Sequence, residues 1–191
     1  MRPEGGAKAA LLIIDMQREM QRRIDAGRDC VNPEAGARIA ALAGAFREAG
    51  MPVVHVRHAA ADPGAALHPD APGYPPMRCA EAVAGEAVFL KAGSSGFAGT
   101  GLEAHLRAEG IGALVVVGAV AGFCVNTTVR AGSDLGFAMT VVRDGVIGFD
   151  LAEAGLSAAT IFDVTMAHLA ADFAVVADAA EVAASLGLVG V

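Results

Sequence analysis

A three-layer α/β/α fold built on a six-stranded, mostly parallel sheet is what this chain predicts, and three observations predict it. Short apolar runs recur six times, at 10–14, 52–57, 87–90, 113–118, 138–143 and 173–177. Each is near-continuous rather than alternating, the pattern of strands buried on both faces. Helical patterns lie between most of them, and strand–helix alternation is the mark of a parallel sheet with helices on each side.

The helices follow in order. Residues 34–49 space Ile39, Leu42 and Phe46 on one face, begin after Asn32-Pro33 and stop at Gly50, a start and stop consistent with helix-end preferences. A shorter helix at 100–109 is ended by Gly110, and 123–135 follows the fourth strand and ends at Gly136. Residues 157–169 precede the sixth strand, and 179–186 close the chain. The stretch 59–77 differs, with five prolines, two glycines and no periodicity. A loop that long in a compact domain is usually a lid or a binding loop.

Composition bounds the function. Apolar residues make up 54% of 191 positions, enough for one core without disulfides or a structural metal. No linker or internal repeat divides the chain, so a single domain over 1–191 is expected. The net charge of −7, without a block of like charge, offers no basic patch for nucleic acid or an anionic membrane. No apolar run reaches the ~20 residues of a membrane span. Residues 1–10 also lack the long apolar core of a secretory signal. Cys30, Cys79 and Cys124 are an odd number without framework spacing, which suits a reducing compartment. The expectation is a cytoplasmic protein acting on a small molecule.

In open α/β sheets ligands bind beyond the carboxyl ends of the strands. Asp15 ends the first strand, Lys91 ends the third, and Cys124 begins the helix after the fourth. Singly, these read as a helix cap, an edge charge and a packing thiol. At one sheet edge they supply a nucleophile, a cation to support its thiolate and a proton carrier for acyl transfer. A helix N-terminus is expected to favour the thiolate further. The turn Gly118-Ala-Val-Ala-Gly-Phe123 offers backbone N–H groups for an oxyanion. Other motifs fail. Lys91-Ala-Gly-Ser-Ser-Gly96 is out of order for a phosphate loop, and Gly118-Ala-Val-Ala-Gly122 lacks the dinucleotide glycine spacing. His55 and His58, three apart on a strand, face opposite sides, so no metal is expected there.

Through these residues the chain resembles the isochorismatase-like cysteine hydrolases, which include nicotinamidases and N-carbamoylsarcosine amidohydrolase. The likeness runs from about Leu11 to Val176. Leu12-Ile-Ile-Asp-Met-Gln17 resembles the family's opening strand, and Lys91-Ala-Gly-Ser-Ser-Gly-Phe-Ala-Gly-Thr-Gly-Leu102 its lysine stretch. Val117-Gly-Ala-Val-Ala-Gly-Phe-Cys-Val125 resembles its nucleophile loop. The resemblance implies a Rossmann-like topology, a catalytic triad of Asp15, Lys91 and Cys124, and no cofactor or metal. It also implies a cis peptide between Ala119 and Val120, an oxyanion hole from the Val120 and Cys124 N–H groups, and a homo-oligomer, dimer or tetramer. Gln17, His58, Tyr74, Phe97 and Phe123 are the expected substrate contacts. The chain departs from its relatives at Ala121 and Gly122, where Thr and an acidic residue are common, and at Arg57-His58-Ala59, where nicotinamidases carry an Asp-x-His metal cluster.

The function implied is cleavage of a C–N bond in a small carboxamide, ureido or carbamoyl compound through a Cys124 thioester. The alternatives are an isochorismatase-type vinyl-ether hydrolase or a catalytically silent binding protein of this fold. Members that hydrolyse isochorismate generally lack the cysteine, and an intact Asp/Lys/Cys set argues against silence.

Overall fold

A run of Ala-Leu-Leu-Ile-Ile has no polar face to give to water, and the chain buries it at the centre of the sheet. Ala10 to Ile14 are at most 1% exposed. The computed structural model describes residues 8–191; the reading of 1–10 as lacking a secretory core falls largely on residues 1–7, outside the described residues. Strand β1 (Lys8–Ile14) pairs in parallel with β3 (Val53–His58) on one side and β5 (Ile111–Ala119) on the other. Outward from these lie β4 (Ala87–Lys91) beside β3, β6 (Ala138–Phe149) beside β5, and β7 (Val175–Ala177) beside β6, all parallel.

Successive strand residues point to opposite faces, so two cores form. Leu12 and Ile14 meet α3 (Leu102–Ala108), α4 (Asn126–Asp134) and α5 (Ala158–Asp172). Leu11 and Ile13 meet α1 (Arg18–Asp25), α2 (Ala35–Glu48) and α6 (Ala179–Leu186). At about 1.5–3 kcal/mol for each fully buried aliphatic side chain, the double cover explains why the runs are apolar on both faces. This is the expected three-layer fold.

The differences are local. A seventh strand, β2 (Cys30–Val31), pairs antiparallel with Gly148 and Phe149. Strand β6 continues past Arg143, because Val146 and Ile147 resume pairing with Gly118 and Ala119 after a register shift in β5. Helix α1 is unexpected because its eight residues are mostly charged and bury Met20 alone. Residues 59–77 carry no helix or strand, as expected. No helix among the described residues is long and apolar enough to cross a membrane.

Candidate active site

Four adjacent strands, in the order β5-β1-β3-β4, end at the same edge, and their last residues build the site. Asp15 follows β1 with a backbone φ of 48°, a left-handed conformation that Asp tolerates better than most residues. Lys91 is the last residue of β4 and His58 the last of β3, paired across the sheet. Beyond β5 the Ala119–Val120 peptide is cis, and a π-type turn, Ala121–Val125, leads into α4 and carries Cys124. The Val120 carbonyl accepts from the N–H groups of both Phe123 and Val125, at 3.0 and 3.3 Å.

Two close approaches hold these ends together. Gly118 has φ 128°, and a Cβ there would run into the Ile14 carbonyl, one residue before Asp15. Gly118→Ala is therefore expected to cost on the order of 3 kcal/mol through strain and overlap, read from the midpoint of urea unfolding. A cost under 1 kcal/mol, roughly the scatter of an ordinary surface change, would show that β1 and β5 need no such contact. On the other side Gly96 N–H donates to the buried Thr128 hydroxyl of α4 at 2.9 Å. Thr100 Oγ1 donates to the Gly96 carbonyl at 2.6 Å and accepts from Leu102 N–H at 3.2 Å. The Gly and Thr of the lysine stretch thus brace its loop against the helix that follows Cys124.

The geometry is close. The Lys91 ammonium donates to Asp15 Oδ2 at 2.7 Å, to the Gly93 carbonyl at 3.1 Å and to Cys124 Sγ at 3.2 Å. His58 Nδ1 lies 3.4 Å from it. Asp15 and Lys91 are 3% and 2% exposed, so their pairing is screened little by solvent. Asp15 Oδ1 is buried with no hydrogen-bond partner among the described residues, which leaves it as the oxygen available to a proton.

Burial dominates the ionisation of all three titrating groups. It raises the Asp15 carboxyl above its usual value against the pull of Lys91. It pushes the Cys124 thiol up to about 11, with the Asp15 charge adding to the rise and Lys91 opposing it. It lowers His58, and the neighbouring ammonium lowers it further. For Cys124 the direction runs against the expected thiolate: burial disfavours the anion, and the Lys91 charge offsets this only in part. Lys91 Nζ thus sits between the Asp15 carboxyl and the Cys124 thiol, within hydrogen-bonding distance of both.

Of the expected contacts, His58 and Phe123 line the cleft above this set, with Asp15, Met20, Arg23, Leu67, Ser94, Ala119, Val120 and Cys124, around a volume of about 260 Å³. Three do not line it. Gln17 is fully buried, and its amide donates to the His58 and Tyr74 carbonyls and accepts from His58 N–H, at 2.8–3.0 Å. A side chain so occupied positions backbone rather than substrate. Tyr74 contributes its carbonyl to that tie. Phe97 stacks on Phe137, centroids 5.6 Å apart, within the α3–α5 core. The 59–77 loop reaches the cleft through Leu67 and is secured to α1 by Arg18 N–H to Pro75 O and Glu19 N–H to Gly73 O. It is a wall of the site. Met20 and Arg23 escaped the sequence reading with α1; Met16, Met20 and Ile24 at four-residue spacing were the available signal. His55 is buried and bonded to Glu86 at 2.8 Å, away from the cleft.

Residues 9–181 match the model of the isochorismatase domain. The chain belongs to the isochorismatase family. Among solved structures, a putative isochorismatase-family hydrolase from Chromobacterium violaceum shares 34% identity with a TM-score of 0.87, covering 96% of this chain and 95% of that one. N-carbamoylsarcosine amidase from Thermoplasma acidophilum is 27% identical with a TM-score of 0.72, covering 90% and 96%. Streptothricin hydrolase from Streptomyces noursei is 34% identical over 145 residues, 74% of this chain and 50% of that protein. Hydrolysis is the general chemistry that this isochorismatase-family chain shares with them. A Cβ at its Gly122 would lie 3.1 Å from Ile161 Cγ2 of α5, so a larger side chain there requires that neighbour to give by a few tenths of an ångström.

Proposed function

We propose that the protein is a cysteine amidohydrolase that cleaves the C–N bond of a small carboxamide, ureido or carbamoyl compound. The observation that carries the reading is Lys91 Nζ lying 2.7 Å from Asp15 Oδ2 and 3.2 Å from Cys124 Sγ, beneath a small cleft. The thiol attacks the substrate carbonyl as its proton passes to Asp15, whose unpartnered oxygen faces no competing donor. Val120 and Cys124 N–H groups hold the oxyanion. Asp15 returns the proton to the leaving nitrogen, and ammonia or an amine departs, leaving a Cys124 thioester. Water then attacks, giving a proton to Asp15; the acid leaves, and that proton restores the thiol. Lys91 favours the ionised form of Asp15 against the effect of burial and neutralises the charge that moves between oxygen and sulfur.

A raised thiol pKa suits this order of events, because thiol deprotonation accompanies attack instead of preceding it. Three free cysteines support a reducing, cytoplasmic setting. The test is an ammonia-release screen over small amides and ureido acids, with acid quenching of the best substrate and mass measurement of the protein. An acyl adduct mapped to Cys124 is expected. Ammonia release with a full acyl mass on any other residue would remove Cys124 from the mechanism.

A further inference from the structure

The cleft is asymmetric in charge. Its walls are apolar, from Met20, Leu67, Ala119, Val120 and Phe123, and its floor holds Asp15 and Cys124. Among the described residues lining it, Arg23 is the one fixed cation. Arg23 Nε donates to Glu19 Oε1 at 3.0 Å, and no described residue accepts from its two terminal nitrogens. The guanidinium also lies 5.9 Å from the Phe149 ring centroid. Arg28 approaches the same ring at 5.2 Å, but Asp150 already takes its Nε and Nη2, each at 2.7 Å. Glu19 is wedged against Gly73, where a Cβ would meet its Oε2 at 2.7 Å, and it also faces Arg22 at 3.5 Å. One carboxylate between two arginines leaves that cluster positive, with the Arg23 fork held half-buried at the cleft.

We infer that Arg23 recognises a carboxylate on the substrate, so that the molecule cleaved is a small amide or ureido compound that also carries an acid group. The inference rests on the amidohydrolase reading for the amide end and on α1 alone for the acid end. A planar guanidinium fork matches a carboxylate in two parallel hydrogen bonds. At the floor, Asp15 and Lys91 pair at 2.7 Å and leave no uncompensated cation for an anion, so the Arg23 fork draws the acid group to its side of the cleft and leaves the neutral amide toward Cys124. The cleft volume of about 260 Å³ lies below the roughly 300–1,000 Å³ of drug-sized sites, so both groups belong to one small molecule.

Binding separates this inference from catalysis. Succinamate and succinamide differ in replacing a carboxylate by an amide, and both are titrated calorimetrically into Cys124→Ala protein. Succinamate is expected to bind roughly 10- to 100-fold more tightly, as for a hydrogen bond to a charged group. Adding Arg23→Gln should bring the two ligands within about threefold of each other, and Arg23→Lys should retain part of the preference. Equal affinities, no detectable succinamate binding, or a preference that survives Arg23→Gln overturns the inference. If Arg23 discriminates while the wild-type protein releases no ammonia from any acid-bearing amide, the anion site stands and the amidohydrolase reading fails.

Discussion

Replacing Cys124 by alanine is expected to lower kcat/KM on the best amide substrate roughly 10⁴-fold or more, the scale on which loss of a covalent nucleophile is felt. Cys124→Ser should fare little better. An alcohol gives up its proton far less readily than a thiol, and the base beside it is a carboxylate whose affinity for protons burial has raised only so far. The fold should survive both changes, because Cys124 is half-buried at the margin of the α3–α5 core, and one variant removes a single heavy atom while the other exchanges sulfur for oxygen. Initial rates, with thermal unfolding as the control, decide it. A Cys124→Ala protein that keeps a tenth of the wild-type rate would show that another group forms the bond to carbon.

Lys91→Met acts on stability as well as rate. The ammonium lies 2.7 Å from Asp15 Oδ2 with its side chain fully buried, so removing it leaves an unpaired buried carboxylate. Breaking a buried pair in this way costs about 3–5 kcal/mol, and the accompanying loss of charge stabilisation should lower kcat roughly 10²–10³-fold. The pH dependence has a definite sign. Asp15 is raised in the folded protein by burial, with Lys91 pulling the other way; without Lys91 it rises further. The folded variant then holds this proton more tightly than the unfolded chain does. Its stability from this group is full below the unfolded carboxyl value and is lost as pH rises through the folded one. The gap to wild type is therefore widest near neutrality and closes on acidification toward about pH 4. Adding Asp15→Asn should recover much of the loss, since Asn removes the charge and tolerates the left-handed backbone at φ 48°. A gap that stays constant with pH, or a double variant as unstable as Lys91→Met, would mean that the two groups are not coupled.

Much of this was legible in the residues. Six apolar runs became the six parallel strands because a strand covered on both faces has no polar side to interrupt it. Asp15, Lys91 and Cys124 stood out because strand-end positions of one parallel sheet converge whatever their distance along the chain. Gln17, Tyr74 and Phe97, expected as substrate contacts, do not line the cleft. Proximity in sequence to a reactive residue says nothing about direction, and Gln17 turns its amide to backbone while Phe97 turns its ring to the core. Arg23 was missed because α1 is short and mostly charged, and the spacing of Met16, Met20 and Ile24 is the one apolar trace it leaves.

By itself the sequence determined the strand order in the chain, the layers and the chemical types available at the sheet edge, since these follow from periodicities of two and 3.6 residues. Tertiary structure alone decided that Lys91 touches Asp15 across 76 positions, that burial pushes the Cys124 thiol up, and that α1 brings a cation to the cleft. Those outcomes depend on distance and on exclusion of water, and neither is carried by neighbouring residues: they exist once the whole chain has closed around the site.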